Sequence, residues 1–320
     1  MSVKDLFRFA SANTILAPMA GYTDAPFRSF CADYGAGLTV TEMVSAKALV
    51  MNNQLTHTLL KTFPSKSPCF VQIFGHEPQV MAQCVQLPEM QKFDGVDINM
   101  GCPVKKIVSN GDGSALMEDV KLASQCISAV KKAVGNKPLS VKFRLGVQDG
   151  SGVADFAKMC ADSGADFVTV HFRTRKQMYS GQADYSFLPQ VVKCGIPVFA
   201  NGDVSQRSQY LQLTSEGAFG VAVGRAGLGR PYVFSQIADI PYTMDVWQTI
   251  QKHIAMLLQY MPERVVNNEM KKHVAFYLKG MRNAKQTVIA VAQSASLAFT
   301  EEAVNKFFIE NSSYRTVTDD

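Results

Sequence analysis

Eight short apolar runs, at residues 14–17, 38–41, 69–74, 96–99, 139–144, 167–171, 197–200 and 219–223, constrain the fold of this chain more than any other feature. Helix-like segments separate them, at roughly the spacing of a βαβ unit, about 30 residues. Strand runs alternating with helical segments imply a parallel sheet. Eight such units imply closure into a (β/α)8 TIM barrel, an α/β fold. The intervening pattern agrees. Within 120–134, Val120, Ala123, Ile127 and Val130 fall on one helical face, and Gly135 stands where a C-terminal cap belongs. A second helix is expected over 153–163, ending at Gly164.

The rhythm stops after Val233. From Thr243 onward no strand pattern is visible, and 247–260, 267–281 and 285–299 read as helices. Met270, Val274, Tyr277, Leu278 and Met281 form one apolar face at helical spacing, and Lys272, Lys279 and Arg282 occupy another. The expected organisation is a barrel domain over 1–240 and a small C-terminal α-helical domain over 241–320, with 312–320 loose. Seven basic residues between Lys252 and Lys285 face only Glu263 and Glu269, a surplus equal to the chain's whole net charge of +5. Such a face suits a polyanion, although charge alone favours a plain solvated helix surface.

Other classes are disfavoured. No apolar run reaches the length of about 18 residues needed to span a bilayer, so no membrane association is expected. Residues 1–12 mix Lys4, Asp5 and Arg8 with apolar residues and lack a secretory pattern. The seven cysteines are scattered with no CxxC pair. That argues against a disulfide framework and against a metal site, and fits a reducing cytoplasm. A monomer is the default expectation.

In a barrel of this kind the active site forms where strands end and the following loops begin. The strand at 96–99 puts Asp97 and Asn99 on one side and runs into Gly101-Cys102-Pro103. Cys102 is held at a strand end between a flexible and a rigid residue, whereas the other six cysteines read as small core thiols. Lys142 and Arg144 are two apart, and at least one should face the barrel mouth, where a cation needs an anionic or electron-rich partner. His171, Arg173 and Arg175 follow at the same period. Asn201-Gly202-Asp203 and Gly224-Arg225 close strands seven and eight, the usual phosphate-binding place of this fold. Fold and loops do not distinguish a flavin from a sugar phosphate. Pro18, Met19 and Ala20 close the first strand. Gln72, inside the third, offers an amide that donates and accepts, or is simply a satisfied core amide.

These residues resemble the tRNA-dihydrouridine synthase family. The matching segments are Leu16-Ala17-Pro18-Met19-Ala20-Gly21-Tyr22-Thr23-Asp24, Gln72 with Gly75, Asn99-Met100-Gly101-Cys102-Pro103 with Lys106, Lys142-Phe143-Arg144, His171-Phe172-Arg173-Thr174-Arg175, Asn201-Gly202-Asp203 and Gly224-Arg225. In the tail, Met270-Lys271-Lys272-His273 and Tyr277-Leu278-Lys279-Gly280 match as well, so the likeness spans nearly the whole chain. The resemblance implies an enzyme with tightly bound FMN and NADPH as reductant, reducing uridines in tRNA to dihydrouridine. It implies that Cys102 donates a proton, and that Pro18, Met19, Ala20, Gln72, Lys142, His171, Asn201, Gly202, Asp203, Gly224 and Arg225 line the flavin. Asn99 and Arg173 would face the uracil, and Lys272, Lys279 and Arg282 the tRNA.

The chemistry is coherent. Saturating the C5–C6 bond of uracil needs a hydride and a proton, and a thiol of ordinary pKa about 8.5 is protonated at neutral pH. A lysine or arginine beside the sulfur would favour the thiolate instead, so Lys142 and Arg144 are expected to face the cofactor or the base rather than Cys102. Other readings are a flavin barrel acting on a free pyrimidine, which would not need the basic tail, and a non-enzymatic RNA-binding barrel.

Overall fold

The computed structural model describes residues 2–319 of the chain. Eight parallel strands close into a barrel in sequence order: β1 Thr14–Leu16, β2 Leu38–Ser45, β3 Cys69–Phe74, β4 Gly95–Met100, β5 Leu139–Arg144, β6 Phe167–His171, β7 Val198–Asn201 and β8 Gly220–Val223. Closure comes from β1 against β8, with Thr14, Ile15 and Leu16 opposite Val221, Ala222 and Val223. All eight expected strands are present, and three of them have the expected bounds.

The N-terminal end of the barrel is plugged by aromatic rings. Phe70, Phe167 and Phe199 fill the interior with Ile15, Leu38 and Ala222. Phe7, from the turn after the helix Val3–Leu6, lies 5.1 Å from Phe199 and seals the base. Gly95 makes room for this layer, because a Cβ there would lie 2.3 Å from the Phe70 ring. A second apolar layer fills the space between strands and helices, including Val120–Val134 and Val153–Asp162. With its base packed solid, the barrel is open for chemistry only at the C-terminal strand ends.

The tail differs from the expectation in three places. Its helices are Val246–Leu257, Glu263–Tyr277, Ala284–Gln293 and Leu297–Glu310. The helix expected over 267–281 therefore ends at Tyr277, which leaves Lys279 and Arg282 in the turn beyond. The single helix expected over 285–299 is two helices, because the Ser294 hydroxyl donates to the Ser296 carbonyl and Ser296 caps the next helix by accepting from Phe299 N–H. Finally, 312–319 is not loose. Ser312–Tyr314 forms a turn of 3-10 helix and β10 Thr316–Thr318 pairs antiparallel with β9 Thr243–Asp245. Residue 320 lies outside the described residues. The tail has its own apolar core around Trp247, Ile250, Met270, Val274 and Phe307.

Candidate active site

A cavity of about 840 Å3 opens at the C-terminal strand ends. It is lined by Pro18, Met19 and Ala20, Gln72, Asn99, Cys102, Lys142, His171, Asn201, Gly202 and Asp203, Gly224 and Arg225, and Lys279 from the tail. Expected residues from all but one of the barrel strands thus converge on one space of ligand-binding size. Tyr22, Met43, Arg144, Tyr179 and Phe276 line it too.

The first wall is a turn that holds itself. Met19 N–H donates to the Thr23 hydroxyl at 3.0 Å, and Tyr22 and Thr23 N–H return to the Met19 carbonyl. Gly21 sits at φ +80°, a conformation that favours glycine, and its N–H donates to the Glu42 carboxylate. Arg28 fixes the end of the turn by donating to the Thr23 carbonyl at 2.6 Å.

The floor is a chain of hydrogen bonds running across three strands. Ser140 Oγ donates to Asp97 Oδ1 at 2.5 Å, Gln72 Nε2 to Asp97 Oδ2 at 2.6 Å, and Asn99 Nδ2 to Gln72 Oε1 at 2.9 Å. Asn99 Oδ1 then accepts from the N–H groups of Gly101 at 3.1 Å and Cys102 at 2.9 Å. Asn99 is therefore the anchor of the Cys102 loop, and Gln72 is the satisfied amide that keeps Asn99 in place. Burial pushes Asp97 up to about 6, and the bonds from Ser140 and Gln72 only partly oppose it.

Cys102 is half-buried. Its carbonyl accepts from Ser114 N–H at 3.1 Å and from the Ser114 hydroxyl at 2.8 Å. Gly113, at φ +60°, packs so closely that a Cβ would lie 3.0 Å from that carbonyl. Sequence reasoning missed this second anchor, because 110–114 carries no chemical residue that marks it. Burial pushes the Cys102 thiol up, outweighing a bond from Val104 N–H and the pull of Arg144 and Lys142. Arg144 stands nearer than expected. Its Nε donates to the Gly101 carbonyl at 2.7 Å, and its Nη1 to the carbonyls of Thr174 and Met178. The thiol nonetheless stays protonated, because desolvation is the larger effect.

Lys142, on β5, and His171, on the neighbouring β6 opposite Arg144, both line the cavity. Burial, with Arg144 second, pulls the Lys142 ammonium down to about 8. Burial and the cations Lys142, Arg144, Arg173 and Arg225 push His171 down to about 2, so it is a neutral imidazole. Among the described residues neither side chain makes a hydrogen bond or ion pair, and both present polar atoms to the cavity.

The far wall is built by the loops after β7 and β8. Gly202 and Asp203 both have positive φ, at +130° and +55°, and a Cβ on Gly202 would lie 2.7 Å from Ala183. Asn201 donates to the Ala222 carbonyl at 2.7 Å and Tyr185 to the Gly202 carbonyl. Asp203 draws two arginines together, Arg173 at 2.6 Å and Arg225 at 3.3 Å. Burial raises its pKa, but these partners hold it below the usual range. Arg225 and Arg144 lie 5.8 and 5.7 Å from the exposed Tyr179 ring, which forms a shelf at the cavity rim.

Four expected residues are not in the cavity lining. Arg173 is buried, its Nε donating to the Ser180 carbonyl and its Nη2 to the Gly181 carbonyl and Asp203, while its buried Nη1 has no partner among the described residues. The period-two argument that aligned it with His171 fails because β6 ends at His171. Arg175 likewise turns away to Glu118. Lys272 lies at the rim, 2.5 Å from Glu269 and 5.8 Å from the Tyr22 ring. Arg282 is exposed beyond the helix end.

A closed barrel whose only cavity-lining thiol, paired cations and glycine-rich strand ends meet at its open mouth defines an enzyme of the TIM-barrel class. The sequence profile of the dihydrouridine synthase (Dus) family matches residues 15–311. A protein named probable tRNA-dihydrouridine synthase from Rickettsia conorii is 35% identical over 312 residues, covering 93% of this chain and 94% of its own. A tRNA-dihydrouridine synthase B from Pseudomonas aeruginosa is 33% identical over 287 residues, covering 85% of each. A solved structure described as TcOYE with pHBA superposes with a TM-score of 0.52 at 11% identity, over 73% of this chain and 92% of its own, which bears on the fold alone. The chain belongs to the dihydrouridine synthase family, a family of oxidoreductases.

Proposed function

We propose that this protein reduces uridines in tRNA to 5,6-dihydrouridine, with FMN bound in the cavity and NADPH as the electron source. The observation that carries the reading is a protonated, doubly anchored Cys102 in one cavity with Lys142, His171 and a glycine-lined strand-end cradle.

The residues fit a flavin mononucleotide. Gly224 leaves the wall open, since a Cβ there would meet nothing closer than Met19 Sδ at 3.7 Å. Backbone N–H groups of the β7 and β8 loops, with Arg225, suit a phosphate. Lys142 and the neutral His171 are unpaired donors suited to an electron-rich ring, with Pro18, Met19 and Ala20 supplying an apolar wall. Gln72 keeps one N–H free for the same ring. Bound there in its reduced form, the flavin would supply the hydride.

The remaining work falls to the chain. Cys102 Sγ–H donates the proton to the second carbon of the C5–C6 bond, and burial keeps that proton on sulfur until the base arrives. Asn99 and Ser114 fix the sulfur by holding the backbone on both sides of it. Arg144, buried in the cavity wall, and Tyr179, exposed at the rim, stand where Arg173 was expected and offer a cation and a flat ring to the base. A uridine within folded tRNA must leave its stack to enter. Lys279 at the rim, with Lys272 and Arg282 on the same tail, meets the phosphates around it. In this reading 1–240 is the flavin-binding catalytic domain, 241–320 the tRNA-binding domain, and the cytoplasm the site of action. Among the described residues no helix is long and apolar enough to cross a membrane.

The test is the visible absorbance of the anaerobically reduced protein on mixing with unmodified tRNA. Return of the oxidised flavin spectrum with tRNA but not with free uridine is expected. Reoxidation by free uracil or uridine instead would transfer the reading to a small-substrate reductase.

A further inference from the structure

Behind the cavity rim lies a second polar cluster that the sequence did not signal and that the proposed chemistry does not use. Asp24 belongs to the barrel and caps the helix Ala25–Asp33, its Oδ1 accepting from Phe27 N–H at 2.8 Å. Its Oδ2 lies 3.0 Å from Nε2 of His253 and 3.0 Å from Nε2 of His273. The two histidines come from different tail helices, Val246–Leu257 and Glu263–Tyr277. Their rings are 4.4 Å apart, and all three residues are buried. His253 Nδ1 meets the Tyr277 hydroxyl at 3.1 Å.

One barrel carboxylate thus receives both tail helices. His253 Nε2 hydrogen-bonds both Asp24 oxygens and its Nδ1 bonds the Tyr277 hydroxyl, whereas His273 Nε2 approaches Oδ2 as a close contact without hydrogen-bond geometry, and neither of its ring nitrogens has a hydrogen-bond partner among the described residues. A buried ionised carboxylate left without those partners would be strongly unfavourable, so the three groups hold one relative position.

That position sets the rim. His273 stands one turn before Phe276, which lines the cavity with Lys279. Tyr22 packs edge-on against both His273 and Phe276, at 6.2 and 5.5 Å between centroids. On the other side Gly229, at φ +69°, touches the Phe276 backbone so closely that a Cβ would lie 2.3 Å from its carbonyl. The helix end is gripped from two directions where it meets the cavity.

We propose that Asp24, His253 and His273 are positioning residues for substrate docking: they fix the register of the helix Glu263–Tyr277 on the barrel so that Phe276 and Lys279 meet the polynucleotide at the cavity mouth. This rests on tRNA being the substrate. The same three atoms are also close enough to hold a metal ion, and the experiment separates the two.

Asp24→Asn in the holoenzyme keeps an oxygen to cap the helix and turns an amide N–H2 toward the two imidazoles. The expected result is a rise of about ten-fold in both the Kd and the KM for unmodified tRNA, with kcat at saturating tRNA within about two-fold. Flavin content and its reduction by NADPH without tRNA should not change. His273→Leu should reproduce the loss, and His273→Gln, which restores an N–H near Nε2, should recover most of it. An unchanged Kd and KM would overturn the proposal. So would parallel loss of flavin and kcat, which marks a merely structural role, or failure of Gln to rescue. Stoichiometric metal in the purified protein, whose removal by chelator reproduces the variant, would replace the hydrogen-bonded latch with a metal site. If wild-type protein is not reoxidised by tRNA at all, the functional reading fails first and independently.

Discussion

Asp97 and Asp24 are both buried carboxylates one step behind the cavity, and they are driven in opposite directions. Asp97 is surrounded by neutral donors, Ser140 and Gln72, and burial carries it up to about 6. Asp24 faces two histidines, which hold it well below the usual carboxylate range despite its burial. Neutral donors satisfy lone pairs without compensating the cost of burying charge, whereas basic groups do both. The outward links differ accordingly. Asp97 acts through Gln72 and Asn99 on Cys102, where protons move. Asp24 acts through His273 on the rim, where a polyanion docks.

Breaking the first chain at its end should have the largest effect. Cys102→Ala is expected to slow reoxidation of the reduced enzyme by tRNA by about 10²- to 10⁴-fold, the usual range for a lost general acid, while flavin content holds. Full retention of that single-turnover rate would remove Cys102 from the mechanism. Cutting the chain in the middle should cost less. Asn99→Ala releases two backbone N–H groups of the Cys102 loop and orphans Gln72, so kcat should fall on the order of 30-fold and stability by about 1–3 kcal/mol. If stability falls and kcat does not, the loop is held by Ser114 alone. The second region should respond in affinity instead. Lys279→Glu is expected to weaken tRNA binding about ten-fold and to lower the salt dependence of log Kd by about one unit, with kcat little changed. A salt slope equal to wild type would take Lys279 out of contact with the RNA.

The smallest effect bears on the contrast itself. The folded pKa of Asp97 lies above its unfolded value of 3.8, so its contribution to stability is present below that value and is lost as pH rises through about 6. The loss is on the order of 3 kcal/mol. For Asp24 the folded value is depressed, so its contribution is present above 3.8 and is lost as pH falls. Urea unfolding of Asp97→Asn should therefore show a shallower decline than wild type between about pH 4 and 6, and Asp24→Asn a shallower loss in acid. Equal slopes in all three proteins would mean that the two carboxylates are not differently charged.

The barrel was legible because its signals are local and repeated. Each strand is an apolar run of its own, and alternation within β4 and β5 correctly put Asp97 with Asn99, and Lys142 with Arg144, on the interior side. The same rule misplaced Arg173, because alternation was carried past residue 171, where the apolar run and β6 both end. The two three-residue strands of the tail are too short for a periodic signal, and their paired residues lie more than 70 positions apart in the chain. Ser296 was a readable helix start, with the hydroxyl that caps Leu297–Glu310. The cluster around Asp24 was not legible, because its members lie 229 residues apart and each alone reads as a cap or a core histidine.

The pairing of β9 with β10 sets Thr243 beside Thr318, and Arg315 reinforces it by binding Asp245. The first and last strands of the tail consequently lie side by side, so its four helices are enclosed between two segments that hold each other. None of the eight barrel strands pairs with either of them, so the tail closes on itself without borrowing an edge from the barrel.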